Sequence, residues 1–408
     1  MKIGYVLLDG CGDRPDPRLN FTTPLESAKT PNLDALASKS SLGRVITVGR
    51  GIAPESDIAV FNMLGYSFDE GYPGRGVVEA VGADVPFKNG DLAFRTNLAS
   101  VKGRIIVDRR AGRNITQDEA KELEREVNTL ELKGAEFEYK ATVGYRGVLV
   151  IKSEEALRAA LSNTDPAYAR VGGFGAARKL GKRDVVMKCV PEDRTAPSKR
   201  AAAMVNEFVE KAIRLLGKSR LNRERVAAGK MPANCLLIRD AGDHLPEVMP
   251  FEEKYGMKGV ALVEMPAEVG IARLLRMKMA SVADRNDVKA KTAVFESELR
   301  ENTVAYVHIK GPDEFGHDGD SEGKRRCIEE IDRDFFATAR EKRDDVVFGV
   351  SCDHATPCAL KMHSSDPVPL LITAGKGDGL RFTERNSAKG SLGLLKGRDV
   401  LARVRALG

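Results

Sequence analysis

The sequence contains little histidine, little cysteine and no long apolar run. Its six cysteines are scattered over 408 residues without a C-x-x-C pair, which argues against a zinc ribbon or a disulfide framework and suits a reducing cytosol. No apolar run approaches the ~20 residues of a membrane span. The opening segment MKIGYVLLDG is interrupted too soon to be a signal peptide and is typical of a buried strand. We therefore expect a soluble, cytoplasmic protein with no membrane partner.

The charge pattern gives no indication of a nucleic-acid partner. The net charge is +6, and Lys and Arg are interleaved with Asp and Glu rather than gathered in a basic run. Such interleaving is typical of solvated helix faces. The mild basic excess suits a small anionic substrate, so we expect a small-molecule partner and no nucleic acid. The oligomeric state is left open.

The length and the hydrophobic pattern predict an α/β fold with two domains. Apolar runs such as KIGYVLLD and GRVITV alternate with helical stretches near both ends of the chain, which predicts a mostly parallel sheet between helices. The middle has short alternating strands and a predicted helix at residues 153–161. We predict a smaller α+β insert domain over residues 84–189, and a main domain formed by residues 1–83 and 190–408. The main domain would include the strand NCLLIRD at residues 234–240.

Potential metal ligands follow three of the predicted strands. The strand YVLL ends at Asp9, TVAYVHI runs into a loop with one Asp and one His, and VVFGVSC ends at an Asp-His pair. The carboxyl ends of neighbouring parallel strands converge at one edge of a sheet, so these side chains are expected to meet there. Carboxylates combined with imidazoles suit Mn²⁺, Zn²⁺, Fe²⁺ or Co²⁺, and six ligands are enough for two ions. The six candidates are Asp9, Asp313, His317, Asp353, His354 and His363.

Ser56 is a candidate nucleophile, because it stands at the start of a predicted helix after the turn RGIAP. Free backbone N–H groups and the helix dipole at that position favour an alkoxide or a phosphoryl group. An ordinary structural role is also open: Ser56, Asp313 and Asp353 could cap helices, and His354 could be a loop residue. His308, inside the strand YVHI, is expected to be packed or hydrogen-bonded there. The residue pattern alone thus predicts a binuclear metal site with a serine, with structural roles as the alternative.

Several segments taken together resemble the cofactor-independent phosphoglycerate mutases of the archaeal type, within the alkaline phosphatase superfamily. KGPDEFGHDGD and DHATPCALKMHSSDPVP are the most specific, and LLDGCGDRP, APESDIAVFNMLGY and GYPGRGVVEAVGA keep the family's order along nearly the whole chain. The resemblance implies an alkaline-phosphatase-like sheet sandwiched by helices, with the insert covering the site. It also implies interconversion of 3-phosphoglycerate and 2-phosphoglycerate, in glycolysis and gluconeogenesis, through a phosphoserine at Ser56.

The same resemblance implies a ligand set and a cofactor requirement. Two divalent metal ions are expected, Mn²⁺ or Zn²⁺ first and Co²⁺ as an alternative, and no bisphosphoglycerate. One ion would be held by Asp313, His317 and His363. The second would be held by Asp9, Ser56, Asp353 and His354.

Binding a carboxylate and a phosphate calls for Arg and Lys. Two positions depart from the family's pattern, since Ala167 stands where many relatives have His and Asp240 where they tend to have Gly. The departures bear on the substrate more than on the phosphoryl chemistry, so a related metal-dependent phosphotransferase or phosphatase acting on another phosphohydroxy acid or alcohol is the alternative. A non-catalytic protein of this fold is disfavoured because the ligand set is complete. The candidate substrate-binding residues are Lys310, Arg239, Asp165, Arg75 and Arg113, with Arg109 and Arg110 beside them.

Overall fold

The chain divides into two compact units in the computed structural model. The first consists of Met1–Phe68, Val248–Glu264 and Ile271–Gly408, and the second of Asp69–Glu247 and Met265–Gly270. The second unit is longer at both ends than the insert expected over residues 84–189. The residues that the structure describes are 1–68, 71–171, 174–177, 181, 184–342, 344–374 and 377–408. Positions 172–173, 178–180 and 182–183 of the expected insert lie outside them.

The strands of the described residues alternate with helices along most of the chain. In chain order the strands are β1 (Lys2–Leu8), β2 (Ser41–Ile46), β3 (Leu92–Lys102), β4 (Ile105–Asp108), β5 (Glu136–Ala141), β6 (Arg146–Lys152), β7 (Tyr168–Val171), β8 (Phe174–Ala177), β9 (Cys235–Gly242), β10 (Gly259–Leu262), β11 (Lys278–Ala280), β12 (Val304–Ile309), β13 (Val346–Cys352), β14 (Val368–Ile372) and β15 (Gly393–Lys396).

The helices are α1 (Pro24–Ser27), α2 (Pro31–Ala37), α3 (Ser56–Met63), α4 (Arg75–Gly82), α5 (Gln117–Val127), α6 (Ala196–Leu216), α7 (Arg220–Ala227), α8 (Phe251–Tyr255), α9 (Pro266–Leu274), α10 (Val288–Glu301), α11 (Pro312–Asp318), α12 (Ser321–Ile331), α13 (Ala337–Glu341), α14 (Glu384–Ser387) and α15 (Gly397–Leu407). One π-helical turn, Asp332–Phe336, connects α12 to α13. None of the helices in the described part of the chain has the length and hydrophobicity needed to span a lipid bilayer.

The first unit contains an eight-stranded sheet in the order β11-β10-β12-β1-β13-β14-β2-β15. Neighbouring strands are parallel except at β14, which is antiparallel to both β13 and β2. A side chain at Gly4 would contact Phe295 of α10, whereas one at Gly349, opposite Tyr5, would contact Val404 of α15. Adjacent residues of a strand face opposite sides, so helices cover both faces of the sheet. The expected α/β class with a mostly parallel sheet between helices is confirmed.

The second unit is built on an antiparallel sheet. Its strands run β4-β3-β6-β5, and β9 pairs with β3, with Ile238 opposite Thr96. The assignment of the NCLLIRD strand to the main domain is therefore wrong. The helix predicted at residues 153–161 is also wrong, since these residues follow β6 without forming a helix. Leu157, Ala159 and Leu161 are buried at every second position, the period of extended chain rather than of a helix.

Candidate metal centre

Two aspartates and one lysine directly follow central strands of the first unit's sheet, at the same edge of that sheet. Leu8 lies opposite both Ile309 and Cys352, so the next residues, Asp9, Lys310 and Asp353, follow three adjacent parallel strands. Lys310 Nζ lies 3.1 Å from Asp9 Oδ2. Asp353 is fully buried, and its Oδ1 accepts hydrogen bonds from the backbone N–H groups of Gly10 and His354, both at 3.0 Å.

Ser56 joins these carboxylates through His354. It is the first residue of α3, and the N-cap position is occupied by Glu55. Ser56 Oγ instead lies 3.1 Å from His354 Nε2. The same nitrogen lies 3.2 Å from Asp353 Oδ2 and 3.6 Å from Asp9 Oδ1. A helix-capping role for Ser56 is therefore excluded, and the structure brings together all four residues expected around the second ion.

The residues expected around the first ion also form a cluster. Asp313 and His317 lie four residues apart, on one face of α11, with Nε2 of His317 3.5 Å from Asp313 Oδ2. His363 Nε2 lies 3.5 Å from Asp313 Oδ1. The Nδ1 atoms of His317 and His363 face the carbonyl oxygens of Lys361 and Pro54 at 3.1 and 2.7 Å. A carbonyl only accepts, so both Nδ1 atoms carry a hydrogen, and Nε2 of each ring is the nitrogen that faces the carboxylate.

The two clusters adjoin each other. The rings of His354 and His363 stack with their centroids 3.8 Å apart. Asp9, Asp313 and His354 have ligand atoms close enough to share one ion, as do Asp313, His317 and His363. Asp313 thus belongs to both candidate groups.

His308 was not expected at this site. It is buried in β12, as predicted, but its Nε2 lies 3.5 Å from Asp353 Oδ2 and 3.8 Å from Asp9 Oδ1. Asp9, His308 and Asp353 form a third group that could hold an ion. The signal was present in the sequence, because the two-residue period of a strand places His308 on the same face as Lys310.

The electrostatics of the buried carboxylates depend on burial and on the neighbouring lysine and imidazoles. Burial raises the pKa of Asp9 to about 7, although Lys310 opposes the shift. Burial would also raise the pKa of Asp353, but the imidazoles of His354 and His308 outweigh it and hold that pKa well below its usual range. Burial lowers the pKa of His354 to about 3. His354 is therefore a neutral imidazole at neutral pH, the form that binds metals.

The donor set fits a divalent cation. Asp9 Oδ1 and Asp353 Oδ2 are buried and accept no hydrogen bond from any residue that the structure describes, a costly arrangement unless a cation compensates it. Two ligands bound tetrahedrally to one ion at about 2.1 Å stand about 3.4 Å apart. Of the four imidazole–carboxylate separations around Asp353 and Asp9, three are close to that value, at 3.2, 3.5 and 3.6 Å, and the fourth is 3.8 Å.

Two of the candidate substrate-binding residues lie in a cation–aromatic stack of the second unit. The guanidinium of Arg239 lies 3.5 Å from the ring centroid of Tyr168, and that of Arg109 lies 5.0 Å from the same centroid. Arg109 also binds Asp165 through two hydrogen bonds, of which the Nε–Oδ1 bond measures 2.8 Å. The Asp165 side chain is fully buried, so its carboxylate is engaged with Arg109 rather than exposed to a ligand.

The remaining substrate-binding candidates in the second unit are Arg75, which is paired with a glutamate, and Arg113, which is exposed. Arg75 Nε donates to Glu79 Oε1 at 2.7 Å, and Arg95 Nε lies 3.5 Å from the same oxygen. Arg113 is exposed and has a left-handed backbone conformation, with a φ of 56°.

Asp240, one of the two departures from the family's pattern, also has a left-handed backbone conformation, with a φ of 57°. Glycine adopts this conformation without strain, which matches the glycine expected there in relatives.

The similarity to known proteins extends over nearly the whole chain. A family model described as 2,3-bisphosphoglycerate-independent phosphoglycerate mutase matches residues 37–222. A protein of that name from Aeropyrum pernix is 42% identical, and the alignment covers 97% of each chain. One from Methanopyrus kandleri, also of that name, is 38% identical over 100% of this chain and 96% of its own.

Solved structures are similar over the same length. The PH0037 protein from Pyrococcus horikoshii has a TM-score of 0.79 and 30% identity, covering 100% of this chain and 97% of its own. A cofactor-independent phosphoglycerate mutase from Thermoplasma acidophilum has a TM-score of 0.62 and 33% identity, covering both chains in full. The similarity therefore includes both compact units.

Proposed function

The chain belongs to the family of 2,3-bisphosphoglycerate-independent phosphoglycerate mutases, and from that membership we propose that it interconverts 3-phosphoglycerate and 2-phosphoglycerate through a phosphoserine at Ser56. The observation that carries the proposal is the position of the Ser56 hydroxyl. It stands at the first residue of α3 and 3.1 Å from His354 Nε2, inside a cluster of buried carboxylates and imidazoles.

The transfer proceeds in two half-reactions at the same serine. In the first, Ser56 Oγ bonds to the phosphorus of 3-phosphoglycerate while the bond from phosphorus to the C3 oxygen breaks. In the second, the C2 oxygen of the retained glycerate bonds to phosphorus and Ser56 Oγ leaves. The hydroxyl protons exchanged in the first half are returned in the second, so the reaction is an isomerisation with no co-reactant. Water must be kept from the phosphoserine, or the enzyme becomes a phosphatase.

The cluster would hold two divalent ions, for which we propose Mn²⁺ or Zn²⁺ with Co²⁺ as an alternative. Such ions lower the pKa of a bound hydroxyl and neutralise the charge of the transferring phosphoryl group. One ion would have Asp313, His317 and His363 as ligands. The other would have Asp9, Ser56, Asp353 and His354.

Lys310 is a proposed phosphate contact, because its ammonium lies beside Asp9 and a lysine binds phosphate as a point charge. The assignment of Arg75, Arg113, Asp165 and Arg239 to substrate binding stays a prediction. We place the activity in the cytoplasm and in glycolysis and gluconeogenesis, in agreement with six cysteines that are all free thiols.

A product assay tests the proposal. Purified protein is incubated with Mn²⁺ and 3-phosphoglycerate, without bisphosphoglycerate, while 2-phosphoglycerate and free phosphate are followed in parallel. We expect 2-phosphoglycerate without phosphate, loss of the activity by at least about 10³-fold in Ser56→Ala, and loss on chelation. Ser40→Ala is the matched control, since Ser40 is also buried and its hydroxyl donates to the Leu36 carbonyl.

Two other results would change the conclusion. Phosphate without 2-phosphoglycerate would retain the serine chemistry and make the protein a phosphatase. Full activity of Ser56→Ala, or no phosphoserine in acid-quenched wild-type protein by mass spectrometry, would contradict the role of Ser56.

A further inference from the structure

Thr356 is a fully buried residue in the loop after β13, and its hydroxyl contacts both ligand clusters. Thr356 Oγ1 donates to Asp313 Oδ1 at 2.6 Å. The same oxygen lies 3.1 Å from His354 Nδ1. Asp313 and His354 are proposed ligands of different ions, so one hydroxyl lies between the two halves of the metal centre.

The direction of these two hydrogen bonds follows from the number of hydrogens available. An ionised carboxylate has no hydrogen to donate, and a hydroxyl has only one. Thr356 uses that hydrogen on Asp313, so it can only accept from His354. His354 must then carry its hydrogen on Nδ1, which leaves the Nε2 lone pair directed at Ser56 Oγ, 3.1 Å away.

The backbone around Thr356 fixes the position of this hydroxyl. The Thr356 carbonyl accepts from Lys324 Nζ at 3.0 Å, and its N–H donates to the Gly12 carbonyl at 3.0 Å. A Cβ at Gly10 would lie 2.7 Å from Thr356 Oγ1, and one at Gly316 would lie 2.4 Å from the Thr356 carbonyl oxygen. Neither neighbour leaves room for the loop to shift.

We propose that Thr356 is a positioning residue that couples the two ion sites, because its single hydroxyl both holds the Asp313 carboxylate and sets the His354 tautomer. The inference rests on the metal-centre part of the proposed function. Partners of metal ligands commonly change metal affinity about 10–100-fold when they are removed. Removal of this hydroxyl affects one ligand of each ion, so both binding steps must weaken together.

Calorimetric titration of the metal-stripped protein with Zn²⁺ tests the coupling without using activity. Thr356→Val keeps the shape and removes the hydroxyl, and we expect both binding steps to weaken about 10–100-fold. Thr356→Ser keeps the hydroxyl and should stay within about threefold of wild type. Ser351→Ala is the matched control, because Ser351 is buried in β13 and its hydroxyl donates to the Pro369 carbonyl instead. It should bind as wild type does.

The tautomer gives an independent readout in ¹⁵N-histidine-labelled, metal-free protein. Two-bond nitrogen–proton spectra should show His354 with its hydrogen on Nδ1 in the wild type and in Thr356→Ser, and a mixture of tautomers in Thr356→Val. His354→Asn assigns the resonance. Circular dichroism verifies folding, and Thr356→Ala replaces the valine variant if that one does not fold.

Three results would overturn the inference. Wild-type affinities in Thr356→Val, weakening of only one of the two steps, or a Thr356→Ser variant as impaired as Thr356→Val would each exclude coupling through the hydroxyl. A wild-type protein that binds no metal ion would instead contradict the proposed metal centre itself, so the two failures are distinguishable.

Discussion

Replacement of Lys324 by methionine tests how the loops around the metal centre are held. The Lys324 ammonium is completely buried and donates to Asp13 Oδ2 at 2.9 Å, to the Thr356 carbonyl at 3.0 Å and to the Gly12 carbonyl at 3.3 Å. Burial alone would lower the pKa of Lys324, but the Asp13 carboxylate outweighs it and keeps that pKa above its ordinary value. The lysine is therefore charged at neutral pH and connects the loops after β1 and β13.

The expected loss of stability in Lys324→Met follows from the buried charge that the substitution leaves unpaired. In Lys324→Met the Asp13 carboxylate stays buried without its cation, a change that typically destabilises by about 3–5 kcal/mol. Asp13 retains backbone donors, Arg14 N at 2.8 Å and Cys358 N at 3.1 Å, so we expect the lower part of that range. The double variant Asp13→Asn with Lys324→Met removes the unpaired charge and should recover about 1–2 kcal/mol relative to Lys324→Met alone.

Scanning calorimetry of the metal-free protein is the assay, because it resolves separate transitions if the two units unfold independently. Lys342→Met is the matched control, since Lys342 pairs with Glu296 at 3.1 Å and both side chains are more than one third exposed. Such a pair contributes at most about 1 kcal/mol. If Lys324→Met loses no more stability than Lys342→Met, or if the double variant recovers nothing, the argument from buried charge is refuted.

Three further predictions concern other residues. Burial raises the pKa of Glu384 from 4.5 to about 7, so the folded state keeps a proton that the unfolded state releases. As the pH rises from about 4.5 to about 7, the free energy of unfolding of the wild type should therefore fall by up to about 3 kcal/mol relative to that of Glu384→Gln. Urea unfolding of the metal-free protein measures this difference. Arg109→Lys should destabilise the second unit by about 1–3 kcal/mol in thermal unfolding, because lysine cannot form the bidentate hydrogen bonds that Arg109 makes with the buried Asp165. His308→Asn should weaken Zn²⁺ affinity about tenfold by calorimetric titration, whereas Tyr306→Phe, two residues earlier in β12, should not.

A specific result would contradict each of these three predictions. Parallel pH profiles for wild type and Glu384→Gln would mean that the carboxyl titrates normally in the folded protein. An Arg109→Lys variant with wild-type stability would mean that a single contact to Asp165 is sufficient. Unchanged Zn²⁺ affinity in His308→Asn would make His308 a packed strand residue, as the sequence suggested.

One rule locates the site carboxylates from the sequence, namely that the carboxyl ends of parallel strands converge at one edge of the sheet. It places Asp9 and Asp353 at one sheet edge without any knowledge of the register, because parallel strands must end together there. The rule depends on hydrophobic runs that are long and continuous, as in the strands before these two residues. It gives no information about His308, because it concerns only residues that follow a strand, whereas His308 lies inside one and is located by the two-residue period.

Two predictions from the sequence are wrong, in segments where the local pattern and the tertiary pairing disagree. NCLLIRD has the composition of a parallel-sheet strand, but it pairs antiparallel with β3, and no local feature identifies the partner of an apolar strand. At residues 153–161 the helix formers Glu, Ala and Leu dominate, yet burial at every second position imposes extended chain. Propensity is weaker than burial there.

The central position of β1 has a consequence for synthesis on the ribosome. In the sheet, Ile3 pairs with Val304 on one side and with Val347 on the other. At ~5–20 residues per second, roughly 15–60 s separate the emergence of this first strand from that of its first partner. The segment Asp69–Glu247 is continuous and can fold in that interval, while the largely apolar strand β1 stays unpaired. A nascent chain stalled before β12 should therefore contain a folded second unit and an aggregation-prone N-terminus, and the ion ligands could assemble only after most of the protein has been made.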